Sequence, residues 1–452
     1  MRMRPTRLIP LLLALTLAAP ALAETFERQL ANGLRVIVKE DRRAPTVVHM
    51  VWYRAGSMDE TNGRTGVAHV LEHMMFKGTP TVGPGEFNRR VADAGGRDNA
   101  FTSHDYTAYF QQVPEHKLGE MMQLEADRMR HLSLDPAEFA QELRVVMEER
   151  RLRTEDQPQS LLFEQLTATA FQAHPYRVPV IGWMNDLENM VPADARSWYD
   201  NWYAPNNATV VVVGDVDHQA VFKLAAQHYG TLQPRQLPVR KPQDEPRQLG
   251  IRRLVVKAPA DLPLVMMAYK VPVIRNVEQD VDPYALELLA AVLAGHDAAR
   301  FSTSLVRRQR LAVEAEASYD STARGPGIFY LQGSPGEGKT VSELEAGLRA
   351  EIVAVQERSV TADELARAKA QLIAGQIYKL DSMFAQAIEI GQLEAVGIPY
   401  AQHGRLLEKL QAVTAEQVQA VARKYFNEQG LTVGELDPQP LPPAARSPAA
   451  GS

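Results

Sequence analysis

The chain has 452 residues, of which 45% are hydrophobic and 23% are charged, and its formal net charge is −6. At roughly 150 residues per domain, this length predicts two to four domains with a sizeable buried core. The small negative charge, without a long basic run after the N-terminus, argues against nucleic-acid binding. Because the sequence contains no cysteine, disulfides, cysteine nucleophiles and thiolate metal sites are excluded. Any transition-metal site must therefore use histidine and carboxylate side chains.

The N-terminus has the pattern of a cleaved secretory signal. Three arginines precede an apolar stretch, residues 8–22, which is short for a membrane span of about 20 residues. Ala-Leu-Ala at 21–23 is a cleavage pattern that puts the mature start near Glu24. An uncleaved membrane anchor is the alternative. The absence of cysteine excludes a lipoprotein, and an exported protein without cysteine indicates a bacterial periplasm.

After this segment (1–23) the chain divides into two halves. We expect a first half over 24–233, a charged, proline-bearing linker over 234–248, a second half over 249–437 and a disordered tail over 438–452. Both halves mix short β-branched runs with longer helical patterns, which predicts an α+β fold. The two halves are candidates for one architecture used twice.

The predicted elements follow from hydrophobic periodicity. In chain order they are strands at 34–38 and 47–52, a helix at 65–76, a strand at 99–109, helices at 118–130 and from 136 onward, a strand at 208–213 and a helix at 285–293.

The helix at 65–76 carries the strongest chemical signal. His69 and His73 are four residues apart, so both imidazoles lie on one face of the helix. Catalytic zinc uses three His or carboxylate ligands and one open position for water. Glu72, just before the second histidine, is placed to act as a general base rather than as a ligand. The alternative is a helix that carries these residues by chance.

A third ligand would come from the helix that begins at Asp135, a predicted N-cap followed by Pro136 at the first helical position. Its acids include Glu142, Glu148 and Glu149. Glu142 and Glu149 are seven residues apart and share a face, whereas Glu148 points elsewhere, as on a solvated surface.

The residues 69–79 (His-Val-Leu-Glu-His-Met-Met-Phe-Lys-Gly-Thr) resemble the signature of the pitrilysin/insulinase family, whose processing-peptidase branch is the closest in size. Two further segments agree. Residues 95–103 resemble the family's G-x-x-N-A-x-T segment, and residues 202–207 resemble its Y-x-P-N-N turn. The resemblance covers about 26–437 and is strongest in the first half.

The resemblance implies two homologous domains, each a mainly antiparallel sheet covered by helices. It also implies one zinc ion per chain, held by His69, His73 and Glu149. Glu72 would be the general base, and Glu142 would support the site from behind the ligands.

In that family the segment after the double glycine is an edge strand beside the metal, to which the substrate peptide adds by main-chain pairing. The resemblance thus assigns substrate binding to Asn99, Ala100, Phe101 and Thr102. A simple turn residue is the alternative for Asn99. His104 and Tyr106 are interpreted as structural or rim residues.

One part of the family's machinery differs in this sequence. Active members use an Arg and a Tyr from the second half, or from a partner subunit, in a segment resembling L-R-E-x-x-G-L-A-Y. Here Val306 stands at the Arg and Val313 at the Tyr, while Arg307 is one position off and Tyr319 lies six further on. Valine cannot donate a hydrogen bond to an oxyanion. We therefore expect a homologous partner chain to supply the Arg/Tyr pair; a homodimer with another donor is the alternative.

Together these features predict a zinc-dependent endopeptidase that hydrolyses unfolded peptides as the metal-bearing subunit of a two-chain peptidase. The alternative is a non-catalytic structural subunit related to processing peptidases. Residues 333–340 match the phosphate-binding loop pattern G-x-x-x-x-G-K-T. We discount it, and expect no nucleotide, because a periplasm supplies no ATP and no partner strand with a magnesium-binding Asp is evident.

Overall fold

The computed structural model describes residues 24–441; the predicted signal segment 1–23 and the end of the predicted tail, 442–452, lie outside these residues. The first half contains β1 (Thr25–Gln29), β2 (Arg35–Glu40), β3 (Thr46–Tyr53), α1 (Val67–Met74), α2 (Glu86–Asp93), β4 (Arg97–Thr102), β5 (Thr107–Pro114), α3 (Leu118–His131), α4 (Pro136–Arg150), α5 (Pro158–Ala170), α6 (Met184–Glu188), α7 (Pro192–Trp202), β6 (Ala208–Gly214) and α8 (His218–His228). The second half contains β7 (Arg252–Pro259), β8 (Leu264–Val271), α9 (Asp282–Ala294), β9 (Ala312–Tyr319), β10 (Gly327–Pro335), α10 (Val341–Glu357), α11 (Ala362–Lys379), α12 (Met383–Val396), α13 (His403–Ala412), α14 (Ala415–Tyr425) and β11 (Leu431–Gln439). Two π-helical segments, Arg151–Glu155 and Phe301–Arg308, follow α4 and precede β9.

The strands form two sheets with the same strand order. The first sheet runs β1-β2-β6-β3-β5-β4 and the second runs β7-β11-β8-β10-β9. Apart from β1, the strands correspond one to one: β2, β6, β3, β5 and β4 of the first sheet match β7, β11, β8, β10 and β9 of the second. In both sheets one pair is parallel, β2 with β6 and β7 with β11, and the others are antiparallel. The predicted α+β fold of two similar, mainly antiparallel sheets with helices is confirmed.

Each half contributes one helix that packs against the sheet of the other half. Helix α5, from the first half, packs against β11, β7 and β8, and its Leu162 and Leu166 share a core with Met266. Helix α12, from the second half, packs against β6 and β3, close to Trp52. The closest approach is at Gly391, where an added Cβ would lie 2.0 Å from Cε2 of Trp52. Burial of apolar surface, the main driving force of folding, therefore ties the halves together.

The predicted linker 234–248 contains no helix or strand. It separates the two halves along the chain, but two of the hydrophobic cores contain residues from both halves. The last strand, β11, runs to Gln439, two residues beyond the predicted end of the second half at Asp437. Within residues 24–441, no helix is long and apolar enough to cross a membrane.

The prediction of one strand over 99–109 is wrong. The structure has a hairpin, β4 and β5, in which Thr102 pairs with Thr107. The turn forms because the Ser103 hydroxyl oxygen accepts hydrogen bonds from the backbone N–H groups of Asp105 (3.1 Å) and Tyr106 (3.2 Å). Residues rich in Thr and Tyr continue on both sides of this turn, which hides it from a periodicity analysis. The hairpin leaves β4 as the outermost strand of its sheet.

Candidate metal centre

Two carboxylates, one buried and one half-buried, fix the start of helix α1. Glu60 accepts hydrogen bonds from the backbone N–H groups of Gly66 and Ala68, both at 2.9 Å. Asp186 accepts from the backbone N–H of Thr65 (3.1 Å) and from its hydroxyl (2.7 Å). These bonds satisfy N–H groups that a helix N-terminus leaves free. Burial raises the pKa of Glu60 to about 8 even though two amides donate to it. The orientation of α1 is therefore set from outside the helix.

Helices α1 and α4 bring three potential ligands together. Oε2 of Glu149 lies 3.7 Å from Nε2 of His69 and 3.5 Å from Nε2 of His73. One ligand atom from each of the three residues lies within 4.8 Å of the other two. The other oxygen of Glu149 is 2.5 Å from Arg153, which leaves Oε2 facing the histidines. Two imidazoles and one carboxylate are a donor set that zinc prefers, so the residues present fit this metal.

Further groups orient His73 from behind. Nδ1 of His73 donates to Oε2 of Glu142 at 3.1 Å, which leaves Nε2 pointing at Glu149. Lys77 holds Glu142 in turn, with 2.5 Å between its Nζ and Oε1 of that carboxylate. A carboxylate that fixes the tautomer and direction of a histidine is the usual outer layer of a metal site.

The protonation states suit a metal. Burial lowers the pKa of the His69 imidazole to about 4, so this ring is neutral at physiological pH. Burial would also lower the pKa of His73, but its hydrogen bonds to Glu149 and Glu142 outweigh this effect and raise it. The hydrogen bond from His73 lowers the pKa of Glu149, which keeps that carboxylate ionised. Because a histidine must be deprotonated to bind a metal, metal binding at this site depends on pH.

Glu72 is on the same helix and is buried. The hydroxyl of Thr102, at the end of β4, donates a hydrogen bond to Oε2 of Glu72. Burial raises the pKa of Glu72. A carboxylate with a raised pKa can accept a proton and give it back near neutral pH, as a general base requires.

A cleft of about 970 Å³ contains the three potential ligands and Glu72. One wall is the edge strand β4, which contributes the four residues predicted to bind substrate, Asn99, Ala100, Phe101 and Thr102. The Asn99 side chain accepts a hydrogen bond from the N–H of Ala100 at 2.9 Å. Phe101 packs edge-on against Trp52, with 5.4 Å between the ring centroids. The side chain of Thr102 is hydrogen-bonded to Glu72 and therefore positions the candidate base.

Several neighbours of the site were not predicted from the sequence. Lys77 and Arg153 each lie four residues after a candidate ligand, and this spacing could have identified them; Arg153 is in the π-helical segment after α4, and Lys77 lies just beyond the end of α1. Glu60, Asp186 and the contact between Thr102 and Glu72 have no such local signal. Glu148, predicted to point elsewhere, is exposed and pairs with Arg151.

Two other patterns have structural explanations. Glu40 and Asp217 lie close to His218, but Glu40 accepts from the backbone N–H and from Nδ1 of His218, and Asp217 caps helix α8 by accepting from the N–H of Ala220. In the segment that matches the phosphate-binding loop, Gly333 is paired with β9 and β8 rather than free in a loop. Thr340 caps helix α10 by accepting from the N–H of Glu343.

The repeated sheets and the His-His-Glu cluster beside an edge strand indicate a peptidase fold. Two family models match the chain, one described as Insulinase (Peptidase family M16) over residues 35–182 and one described as Peptidase M16 inactive domain over residues 189–372. The chain belongs to this insulinase family of peptidases.

Similar proteins agree with this assignment. The chain is 35% identical over 363 residues to the zinc protease PqqE of Helicobacter pylori, which covers 78% of this chain and 79% of that protein. It is 26% identical over 411 residues to the mitochondrial-processing peptidase subunit beta of Lentinula edodes, covering 88% and 86%. The crystal structure of a protease from Helicobacter pylori matches with a TM-score of 0.87 at 30% identity, over 92% of this chain and all of that one.

Proposed function

We propose that this chain is a zinc-dependent endopeptidase that hydrolyses unfolded peptides. His69, His73 and Glu149 would hold one zinc ion per chain. The observation that carries the proposal is the convergence of these side chains from two helices, with Glu72 buried beside them and the edge strand β4 along the same cleft. The names of similar proteins support zinc and proteolysis in general.

A zinc ion bound there would act as a Lewis acid, polarising the scissile carbonyl and lowering the pKa of water. Glu72 removes a proton from the attacking water and later returns it to the leaving amine nitrogen. Thr102 orients Glu72 during both transfers through its hydrogen bond. The free backbone groups of β4 pair with an extended substrate, which favours unfolded peptides over folded proteins.

The test compares the chain with its Glu72→Gln variant. We expect about one zinc per chain in both proteins, and Glu72-dependent cleavage of a flexible peptide that falls about 10²–10⁴-fold in the variant. Glu120→Gln is a matched control, because Glu120 is on helix α3 outside the metal cleft and pairs with Lys117 at 3.1 Å. Zinc binding without any Glu72-dependent cleavage would favour a non-catalytic subunit instead.

We further propose that a homologous partner chain supplies an Arg and a Tyr to stabilise the oxyanion. Support comes from the second half, where Val306 is partly buried against the core and Val313 lies 56% exposed on β9. Neither side chain donates a hydrogen bond, and the loss of one such donor costs about 10²–10³ in rate. The isolated chain should therefore be poorly active and should gain activity with a partner that carries the pair. Full activity of the isolated chain would contradict this and favour a homodimer with another donor.

The proposed location is the bacterial periplasm, reached through a cleaved signal at 1–23. N-terminal sequencing of the exported protein should start near Glu24. A product that keeps its first residues in the membrane fraction would contradict cleavage.

A further inference from the structure

A second cavity opens from the metal cleft. This cavity, the side pocket, has a volume of about 460 Å³ and lies between helix α5, the segment 176–181 and strand β8. It shares Arg153, Thr154, Val180 and Ile181 with the metal cleft. The two spaces therefore form one continuous recess. Its volume is in the range of sites that bind small organic groups.

The edge strand leads from one space to the other. Residues 99–102 line the metal cleft, and His104, two residues further along, lines the side pocket. An extended peptide advances about 3.3 Å per residue, and alternate side chains point to the same side. A peptide paired with β4 thus passes from the metal to the side pocket within a few residues.

The side pocket is lined largely by apolar groups. Phe163 of α5 is 45% exposed, and its ring centroid lies 5.3 Å from that of Tyr330 of the second sheet, with the two rings tilted by 43°. Met266 and Val178 form buried parts of the wall, and Ile181 lies at the border with the metal cleft. A partly exposed aromatic ring inside a recess is a ready contact for another apolar side chain.

The charges around the side pocket disfavour a basic side chain. Its only carboxylate among the lining residues, Glu164, is held by Arg150 through two hydrogen bonds of 2.8 and 3.0 Å, and both residues are buried. The remaining ionic groups are the cations Arg153 and Arg177. His104 is neutral because burial lowers its pKa to about 4. A Lys or Arg of the substrate would find no free carboxylate here.

We infer that the side pocket binds a large apolar side chain, aromatic or aliphatic, of the peptide substrate close to the scissile bond. This inference rests on the proposed peptidase function, since it assumes a peptide on β4. It makes Phe163 a residue that determines specificity.

The experiment measures peptide binding, so that low turnover does not interfere. The protein is the zinc-loaded full chain with Glu72→Gln, and the probes are short fluorescent peptides of Gly, Ala and Ser. A single Phe, Leu or Arg is placed at each successive position, so that one probe presents it to the side pocket in any register. Three variants are made on this background. Phe163→Glu adds an acid, Ser160→Trp fills the pocket without adding charge, and Val353→Glu is the control because Val353 is a similarly exposed (43%) apolar residue on a distant helix.

We expect the best Phe or Leu probe to bind about tenfold or more tightly than its Arg counterpart. Phe163→Glu should remove this preference and strengthen the Arg probe, and Ser160→Trp should weaken the Phe and Leu probes alone. Val353→Glu should change nothing. Equal binding of all probes, no binding of any, or insensitivity to both pocket variants would overturn the inference.

Hydrolysis of the same probes by the chain with Glu72 intact separates the two proposals. Phe163-dependent binding without Glu72-dependent cleavage would leave the side pocket as a peptide site and remove the peptidase function. Glu72-dependent cleavage without a preference for large apolar residues would keep the peptidase function and remove the side-pocket inference.

Discussion

The two halves of the molecule share one strand order, yet the candidate ligands lie in the first half alone. Helices α1 and α9 occupy equivalent places along the chain: α1 follows β3 and precedes the edge strand β4, and α9 follows β8 and precedes the edge strand β9. Helix α1 presents His69, Glu72 and His73, whereas α9 is a largely buried apolar helix whose central acid, Glu287, accepts from the hydroxyl of Ser321. The fold provides a scaffold, and a few side chains on one copy determine the chemistry.

The comparison predicts that loss of one carboxylate in the first half abolishes metal binding. Glu149→Gln should lower zinc from about one per chain to near zero after desalting, because an amide lacks the negative charge of the ligand. Metal analysis measures this. Glu148→Gln on the same segment and Glu287→Gln in the second half should both keep their zinc. Zinc loss in Glu287→Gln would show that the second half contributes to the metal site.

A smaller loss of zinc affinity is expected for Glu142, which contacts the candidate ligand His73 but not the metal position itself. Glu142→Gln should weaken zinc affinity about 10–100-fold, because the amide orients His73 less strongly than the carboxylate. Competition with a chromogenic chelator measures the change. Glu138→Gln is the control, since Glu138 is on the same helix and lies 3.7 Å from Lys77 without contact to a ligand. Equal affinities of the two variants would contradict a role for Glu142.

The packing of helix α12 on the sheet of the first half predicts an effect on stability. Gly391→Ala places a Cβ 2.0 Å from the Trp52 indole and should lower the free energy of unfolding by about 1–3 kcal/mol. Gly375→Ala, on α11 with open space around it, should be neutral or stabilising by up to about 1 kcal/mol. Chemical denaturation compares the two. A Gly391→Ala protein as stable as the parent would mean that α12 can move away from β3 at little cost.

The same contrast explains what the sequence could predict. His69, His73, Glu142 and Glu149 lie on helices, where side-chain direction follows from local spacing, so their faces were predictable. Glu149 was singled out as the third ligand by resemblance to the family. The contact of Gly391 with Trp52 joins residues far apart in the chain, and no local pattern indicates it.

The hairpin turn and the side pocket were missed for a similar reason. A single serine hydroxyl organises the turn after Thr102. The side pocket is formed jointly by a helix of the first half and by β8, which includes Met266, of the second half. Tertiary packing determines both features, and neither changes the hydrophobic period along the chain.

The last predicted effect concerns Glu287 on α9. Burial raises the pKa of Glu287 from 4.5 to about 7. Between these values the unfolded chain has released the proton and the folded chain still holds it. The free energy of unfolding should therefore fall as pH rises from about 4.5 to about 7, by up to about 1.4 kcal/mol per pH unit, and this contribution should level off above that range. Glu287→Gln removes the titration and should flatten the curve.

Denaturation of both proteins across this range, with chelator present so that metal binding is the same in each, measures the slope. Parallel curves would show that Glu287 is solvated in the folded state and that the burial of α9 is looser than described. A flatter curve for the variant would sharpen the contrast between the halves. It would show that α9 keeps a proton on Glu287 in the half without candidate ligands, whereas α1 places Glu72 beside the candidate metal site.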